Sequence, residues 1–190
     1  MISTMKKPYK YPEHCIFSSL AAIKDKHVTI MGLGLNGGGE AAARFFAKHG
    51  ALLTITDMKT ESQLRTTLDS LASDPNIDQS RIRYVLGKHD VNDFTGADVV
   101  IKNPGVKIEN NEYLAAAKHI ETDISIFLRF TKAPIIAVTG SKEKSSTVSA
   151  IPYGLCKAGY TAFLGGNITV SPLSFLDKTN EETPVVLELS

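Results

Sequence analysis

Short aliphatic and β-branched runs alternate along this chain with longer stretches in which apolar positions recur every three to four residues. Residues 28–31, 52–56, 82–86 and 99–102 read as strands, each brief and mostly apolar. Between the first two, residues 40–49 set Ala43, Phe46 and Ala47 on one helical face. Residues 61–73 do the same with Leu64, Leu68 and Leu71, until Asp74-Pro75-Asn76 breaks the pattern. A helix-like stretch at 112–118 precedes Ile120, and residues 123–130 read as a short helix with an acidic start. Strand followed by helix, repeatedly, predicts βαβ units and a parallel sheet, hence an α/β fold.

Lys132-Ala133-Pro134 is the best linker, and beyond it the pattern restarts with a strand at 135–139, a helix at 145–158 and strands at 161–164 and 184–189. Two units are therefore expected, residues 1–132 and residues 133–190. No internal repeat or low-complexity tract interrupts them. So small a second unit is expected to leave apolar sheet surface uncovered, and the sequence reads as a piece of a longer protein.

Composition narrows the partners. Hydrophobic residues make up 43% of the chain, enough for a packed core, while a net charge of +1 offers no field for nucleic acid or an anionic membrane. Neither is an expected partner. No run approaches the ~18 apolar residues of a membrane span, and the basic first residues lack a leader's apolar core. Cytoplasmic placement is the expectation. Cys15 and Cys156 match no metal spacing and are expected as buried thiols. His14, His27, His49, His89 and His119 share no spacing either, and surface placement is expected for them.

Three constellations could carry chemistry. Gly32, Gly34 and Gly37 form a GxGxxG loop directly after the first strand and before a helix. Such glycines allow a tight turn and let a diphosphate approach the backbone, a Rossmann-like arrangement. Asp57 closes the second strand, 20 residues past Gly37, where a dinucleotide fold places a ribose-binding acid. The plainer alternative is a glycine turn kept for close helix–strand packing.

The second constellation is residues 134–147, an apolar strand ending at Gly140 and followed by Lys144-Ser145 where a helix could begin. Lysine would neutralise β- and γ-phosphates, and the Ser145 hydroxyl would suit Mg²⁺, so this corner is expected to begin a P-loop-type ATPase unit. The generic Walker glycines are replaced by Val138 and Glu143, which leaves a Lys/Ser-rich helix cap as the alternative. The third is Gly165-Gly166-Asn167 after a strand, with Glu188 at the end of the last strand. Open α/β sheets bind ligands at the carboxyl ends of strands, which suits both residues. An ordinary turn and a solvent-facing glutamate are the duller readings.

Taken in order, GLGLNG at 32–37, TD at 56–57, NPG at 103–105, TDISIF at 122–127, AVTGSKEKSST at 137–147, LGGNI at 164–168 and VLELS at 186–190 resemble the amino-terminal part of the muramyl ligases. These are ATP-dependent amide ligases of peptidoglycan precursor synthesis, and the D-glutamate-adding members are the nearest in pattern. The resemblance implies a Rossmann-like domain for a uridine nucleotide followed by the start of an ATPase domain. It implies UDP-N-acetylmuramoyl-L-alanine and D-glutamate as substrates, with ATP and Mg²⁺. By resemblance Leu35, Asn36 and Gly37 lie near the uracil and diphosphate, Asp57, Met58 and Lys59 beside the base, and Asn103, Pro104 and Gly105 at another substrate-contacting turn. Gly140, Ser141, Lys142, Glu143, Lys144, Ser145 and Ser146 would form the ATP loop, with Lys144 catalytic. Ser145 and Glu188 would hold the metal, and Asn167 and Ser190 would contact substrate. The implied reaction has two steps: the substrate carboxylate attacks the γ-phosphate of ATP, and the amine of D-glutamate then displaces phosphate from the acyl phosphate.

Two departures bear on activity. The family pattern is G-T-x-G-K-[ST]-[ST], with glycine where this chain has Glu143. A carboxylate there repels the phosphates and is expected to weaken ATP binding. The chain also stops before the family's remaining domains, so no turnover is expected from it alone. A non-catalytic UDP-sugar-binding module is the rival reading. An NAD-dependent oxidoreductase is a second, but it leaves residues 140–147 and the GGN turn unexplained.

Overall fold

The computed structural model describes residues 16–34, 37–142, 144–167 and 170–189. The first unit runs β1 (His27–Met31), α1 (Gly38–Lys48), β2 (Leu52–Asp57), α2 (Glu61–Ala72), β3 (Ile82–Leu86), α3 (Asn92–Thr95), β4 (Val99–Lys102), α4 (Glu112–Ala115), β5 (Ile120–Glu121) and α5 (Asp123–Phe130). The second runs β6 (Ile135–Val138), α6 (Lys144–Lys157), β7 (Phe163–Gly166) and β8 (Val185–Glu188). Short 3₁₀ segments at Leu20–Ile23, Gln79–Arg81 and Pro172–Lys178 complete the described elements.

The first sheet has the order β3-β2-β1-β4-β5 and the second β6-β8-β7, with every pairing parallel. Strands covered on both faces need apolar side chains in both directions, which is why the runs are nearly continuous. On β1, Val28 and Ile30 join the core that contains α1, while Met31 joins a second cluster with Phe94 and Leu114. Thr29 is buried between them and donates its hydroxyl to Asp93 O at 2.6 Å.

Helix α1 buries Ala42, Ala43, Phe45 and Phe46 on one face. Its Arg44 binds Glu40 Oε1 at 2.8 Å, Asp74 Oδ2 at 2.5 Å and Ser70 O at 2.9 Å, tying α1 to the end of α2. Helix α5 begins with a reciprocal cap, in which Ser125 N donates to Thr122 Oγ1 and Thr122 N to Ser125 Oγ. The two sheets share one core. Phe127 of α5 is fully buried and meets Phe175 edge-on at 5.8 Å, and Phe175 stacks on Phe163 of β7 at 4.9 Å.

Several expectations are corrected here. Central strand β8 is buried throughout and packed by α6, so the bare sheet surface expected of the second unit is confined to the half-buried edge strands β6 and β7. Cys156 lies exposed on α6, because Val148 is the described residue that this helix buries; Cys15 falls outside the described residues. His27 and His119 are exposed as expected, but His49 and His89 are half-buried, each held by a hydrogen bond. His14 lies outside the described residues. Strand β7 begins two residues later than read and runs through Gly165 and Gly166, which had looked like a turn. Helix α4 ends at Ala115, well short of residue 118.

Candidate functional site

Strand order reverses between β1 and β4, and in open parallel sheets that switch point leaves a crevice at the carboxyl edge. The glycine loop sits there. Gly32, Gly34 and Gly37 have φ of +88°, +67° and +81°, values that a side chain disfavours, so the loop's course requires glycine. All three stay half-buried rather than sealed, while Leu33 anchors the loop in the core. Close packing of helix on loop, the alternative reading for these glycines, falls instead to Gly39, where a Cβ would lie 2.2 Å from Gly32 O.

Two side chains brace the loop. Asp57 is 5% exposed; its Oδ2 accepts from Gly34 N at 3.1 Å and its Oδ1 from Lys59 N at 2.9 Å. The acid expected to be kept for a ribose is thus a tether between two loops, though each oxygen retains a second lone pair. Asn103 donates through Nδ2 to Gly32 O at 3.3 Å and accepts through Oδ1 from Gly105 N at 3.1 Å. Around this frame Met58 is 64% exposed, Lys59 is half-buried, and Pro104 and Gly105 are exposed. The structure therefore gathers Gly37, Asp57, Met58, Lys59, Asn103, Pro104 and Gly105 along one edge. Leu35 and Asn36 lie outside the described residues.

Sequence reasoning missed His89 at this edge. Thr56 Oγ1 lies 3.2 Å from Lys88 O and 2.7 Å from His89 Nδ1, so one hydroxyl joins the strand end to the ring. The ring meets Phe94 and Tyr113 edge-on. Burial pushes its pKa down, with Asp57 pulling the other way. A lone histidine after a strand carries no spacing signal that would have singled it out.

Asp123 was read as a helix start within the TDISIF segment and given no role at the site. It is 6% exposed at the head of α5, and burial holds its carboxyl above the usual carboxylate range, against the pull of Ser171, the Ile124 amide and Lys102. A raised folded-state value means that ionisation opposes folding. Stability is lost as the pH rises from the unfolded value near 3.9 through the higher folded one. Asp123→Asn should therefore raise the melting temperature at neutral pH, by a gain that shrinks as the pH falls towards about 4. Thermal scans of both proteins across that range measure it, and a neutral-pH loss of stability would contradict it.

The second corner lies at the carboxyl edge of the smaller sheet. Val138, Glu188 and Gly166 stand level across β6, β8 and β7. Glu188 is 3% exposed and accepts from Ser145 Oγ at 3.4 Å, while Asn167 N donates to Glu188 O at 3.1 Å. Lys144 Nζ reaches back to Gly140 O at 2.6 Å. Ser141, Lys142, Ser145 and Ser146 are exposed around it. Gly140, Lys144, Ser145, Asn167 and Glu188 thus converge from three separated segments. Glu143 and Ser190 lie outside the described residues.

Among the described residues no group of three or more His, Cys, Asp or Glu is placed to hold a metal. A buried carboxylate beside a hydroxyl is nonetheless a hard-oxygen pair that fits Mg²⁺, an ion that keeps waters and phosphate oxygens in its remaining positions. A larger cleft of about 760 Å³ lies elsewhere, between α1 and the Pro172–Lys178 turn. On its wall Arg44 is paired with Glu40 and Asp74, and Lys48 with Asp177 at 2.9 Å, while Lys132 lines it exposed. No helix among the described residues is long and apolar enough to cross a membrane.

Residues 26–125 match the family model described as Mur ligase MurD-like, N-terminal domain. A protein of Borreliella afzelii named UDP-N-acetylmuramoylalanine--D-glutamate ligase is 56% identical over 171 residues, covering 90% of this chain and 37% of the relative. One of the same name from Treponema pallidum is 54% identical over 174 residues, covering 90% and 32%. A solved murein peptide ligase from Psychrobacter arcticus aligns over 87% of this chain and 38% of its own, at 19% identity and a TM-score of 0.45. The chain spans about a third of the length of the curated relatives it matches. Since the family model covers more than half of its residues, the chain belongs to the MurD-like Mur ligases and carries their N-terminal domain.

Proposed function

We propose that the protein takes part in the ATP-dependent addition of D-glutamate to UDP-N-acetylmuramoyl-L-alanine in peptidoglycan synthesis. The observation that carries the reading is the presence of two strand-to-helix corners of different chemistry. One is a glycine loop braced by Asp57 and Asn103, the other a lysine loop facing a buried Glu188. Names of the relatives supply the substrate pair, and the corners suit its uridine nucleotide and the triphosphate.

In this reading the loop at 32–37 receives the diphosphate on its backbone amides, with residues 57–59 beside the base and 103–105 closing the turn. Lys144 leaves Gly140 O to neutralise the phosphates of ATP, and Ser145 with Glu188 and the Asn167 turn position the reacting end. The substrate carboxylate forms a bond to the γ-phosphorus as ADP leaves; the amine of D-glutamate then forms the amide as phosphate leaves and the nitrogen loses a proton. Mg²⁺ held by Ser145 and Glu188 would supply charge neutralisation for the phosphoryl oxygens. The domains split after Lys132, and the cytoplasm is the compartment of this chemistry.

Calorimetry with UDP-N-acetylmuramoyl-L-alanine tests the reading. Saturable binding is expected, weakened by Asp57→Ala, which frees two loop amides; a folded chain with no heat of binding would overturn it. One observation favours a second reading, a UDP-sugar-binding module without chemistry: Glu143 in the lysine loop. Uridine-ligand binding with no ATP binding, even after Glu143→Gly, would favour the module.

A further inference from the structure

Lys102 ends β4 at the switch point, level with Met31 of β1. It is half-buried, and burial lowers the pKa of its ammonium against the attraction of Asp123 and Glu109. The hydrogen bond its Nζ makes is to Asn103 O, the neighbouring carbonyl, at 3.3 Å. Among the described residues no carboxylate pairs with it at contact distance. A cation withdrawn from water without a contact counter-ion is unfavourable, so stability alone does not account for lysine here. Lys102 also shares one small recess, about 10 Å³ and largely apolar, with Gly38 and Gly39 at the start of α1 and with Asn103, which places it beside the glycine loop.

We infer that Lys102 is a further ligand-binding residue of the uridine-nucleotide site, supplying the cation that its diphosphate meets at the switch point. The inference rests on the uridine site proposed above. Asp123 and Glu109 attract the ammonium without pairing with it in contact, and the arriving phosphate provides the missing partner. Lys102 thus adds charge recognition to a loop whose own donors are neutral amides.

Titration of UDP and of uridine, followed by ligand-observed NMR, tests this on the wild-type chain, Lys102→Met and Lys102→Arg, with ligand-free thermal melts of each. Lys102→Met should weaken UDP binding roughly tenfold or more, as loss of a charge-assisted hydrogen bond does. It should leave uridine binding unchanged and the ligand-free melting temperature unchanged or raised. Lys102→Arg should recover most of the UDP affinity. Equal UDP affinities in wild type and Lys102→Met would overturn the inference. So would a parallel loss of UDP and uridine with a lowered melting temperature, the mark of a structural lysine. A wild-type chain that binds neither ligand would overturn the uridine site itself, a result read before any variant is compared.

Discussion

Replacing Gly39 with alanine is expected to lower stability by about 3 kcal/mol and to weaken UDP-ligand binding at the same time. A Cβ at this position would lie 2.2 Å from Gly32 O and 2.4 Å from Leu33 O, both backbone atoms. Neither can swing aside as a side-chain tip would. Gly32 N is bound to Thr56 O at 2.8 Å and its carbonyl receives Asn103 Nδ2, so the loop is held on both sides. Either α1 lifts off the sheet or the loop reshapes, and both outcomes spoil the diphosphate corner. Gly37→Ala makes the useful contrast. Nothing lies within 4 Å of a Cβ there, and only its φ of +81° resists substitution, so a cost of about 1–2 kcal/mol is expected. Denaturant midpoints of the two variants measure the difference; a Gly39→Ala midpoint equal to wild type would refute the close-approach argument.

Changing Glu143 to glycine is expected to strengthen MgATP binding by about a hundredfold. A carboxylate coming within ~5 Å of a phosphate charge at an effective dielectric of ~20 would cost about 3 kcal/mol, and a hundredfold is about 2.7 kcal/mol. The neighbouring groups give the substitution something to act through: Lys144 already lies over Gly140 O, and Ser145 faces Glu188. Lys144→Ala added to Glu143→Gly should abolish the gain. Titration with MgATP settles the point, and unchanged affinity in Glu143→Gly would show that the glutamate's charge does not reach the phosphates.

Periodicity made the larger features legible. Strands of four to six apolar residues and helices with a single apolar face are local properties, so β1, β2, β3, β4, α2 and α5 follow from composition and spacing. The glycine loop was legible too, because only a few residue types tolerate positive φ. What escaped depends on partners distant in sequence. Gly165 and Gly166 resemble a turn, yet Gly166 pairs with Glu188 so closely that a Cβ would lie 2.2 Å from Glu188 O. The Pro172–Lys178 turn has no period, and its place comes from Phe175 fitting between Phe127 and Phe163. Asp57 was legible as a strand-end acid, but its tie to Gly34 N joins two loops that meet only in the fold. Lys102 gave no motif, and Asp123 sat in one without its burial showing, since burial of a charged group is invisible until the neighbours are known.

The aromatic contact between Phe127 and Phe175 also bears on how the chain can be cut. Severing it after Lys132 would leave Ile126, Phe127 and Phe45 facing water on what is now the inner side of α1 and α5. The first unit is therefore not a detachable brick: part of its core is completed by the segment that follows.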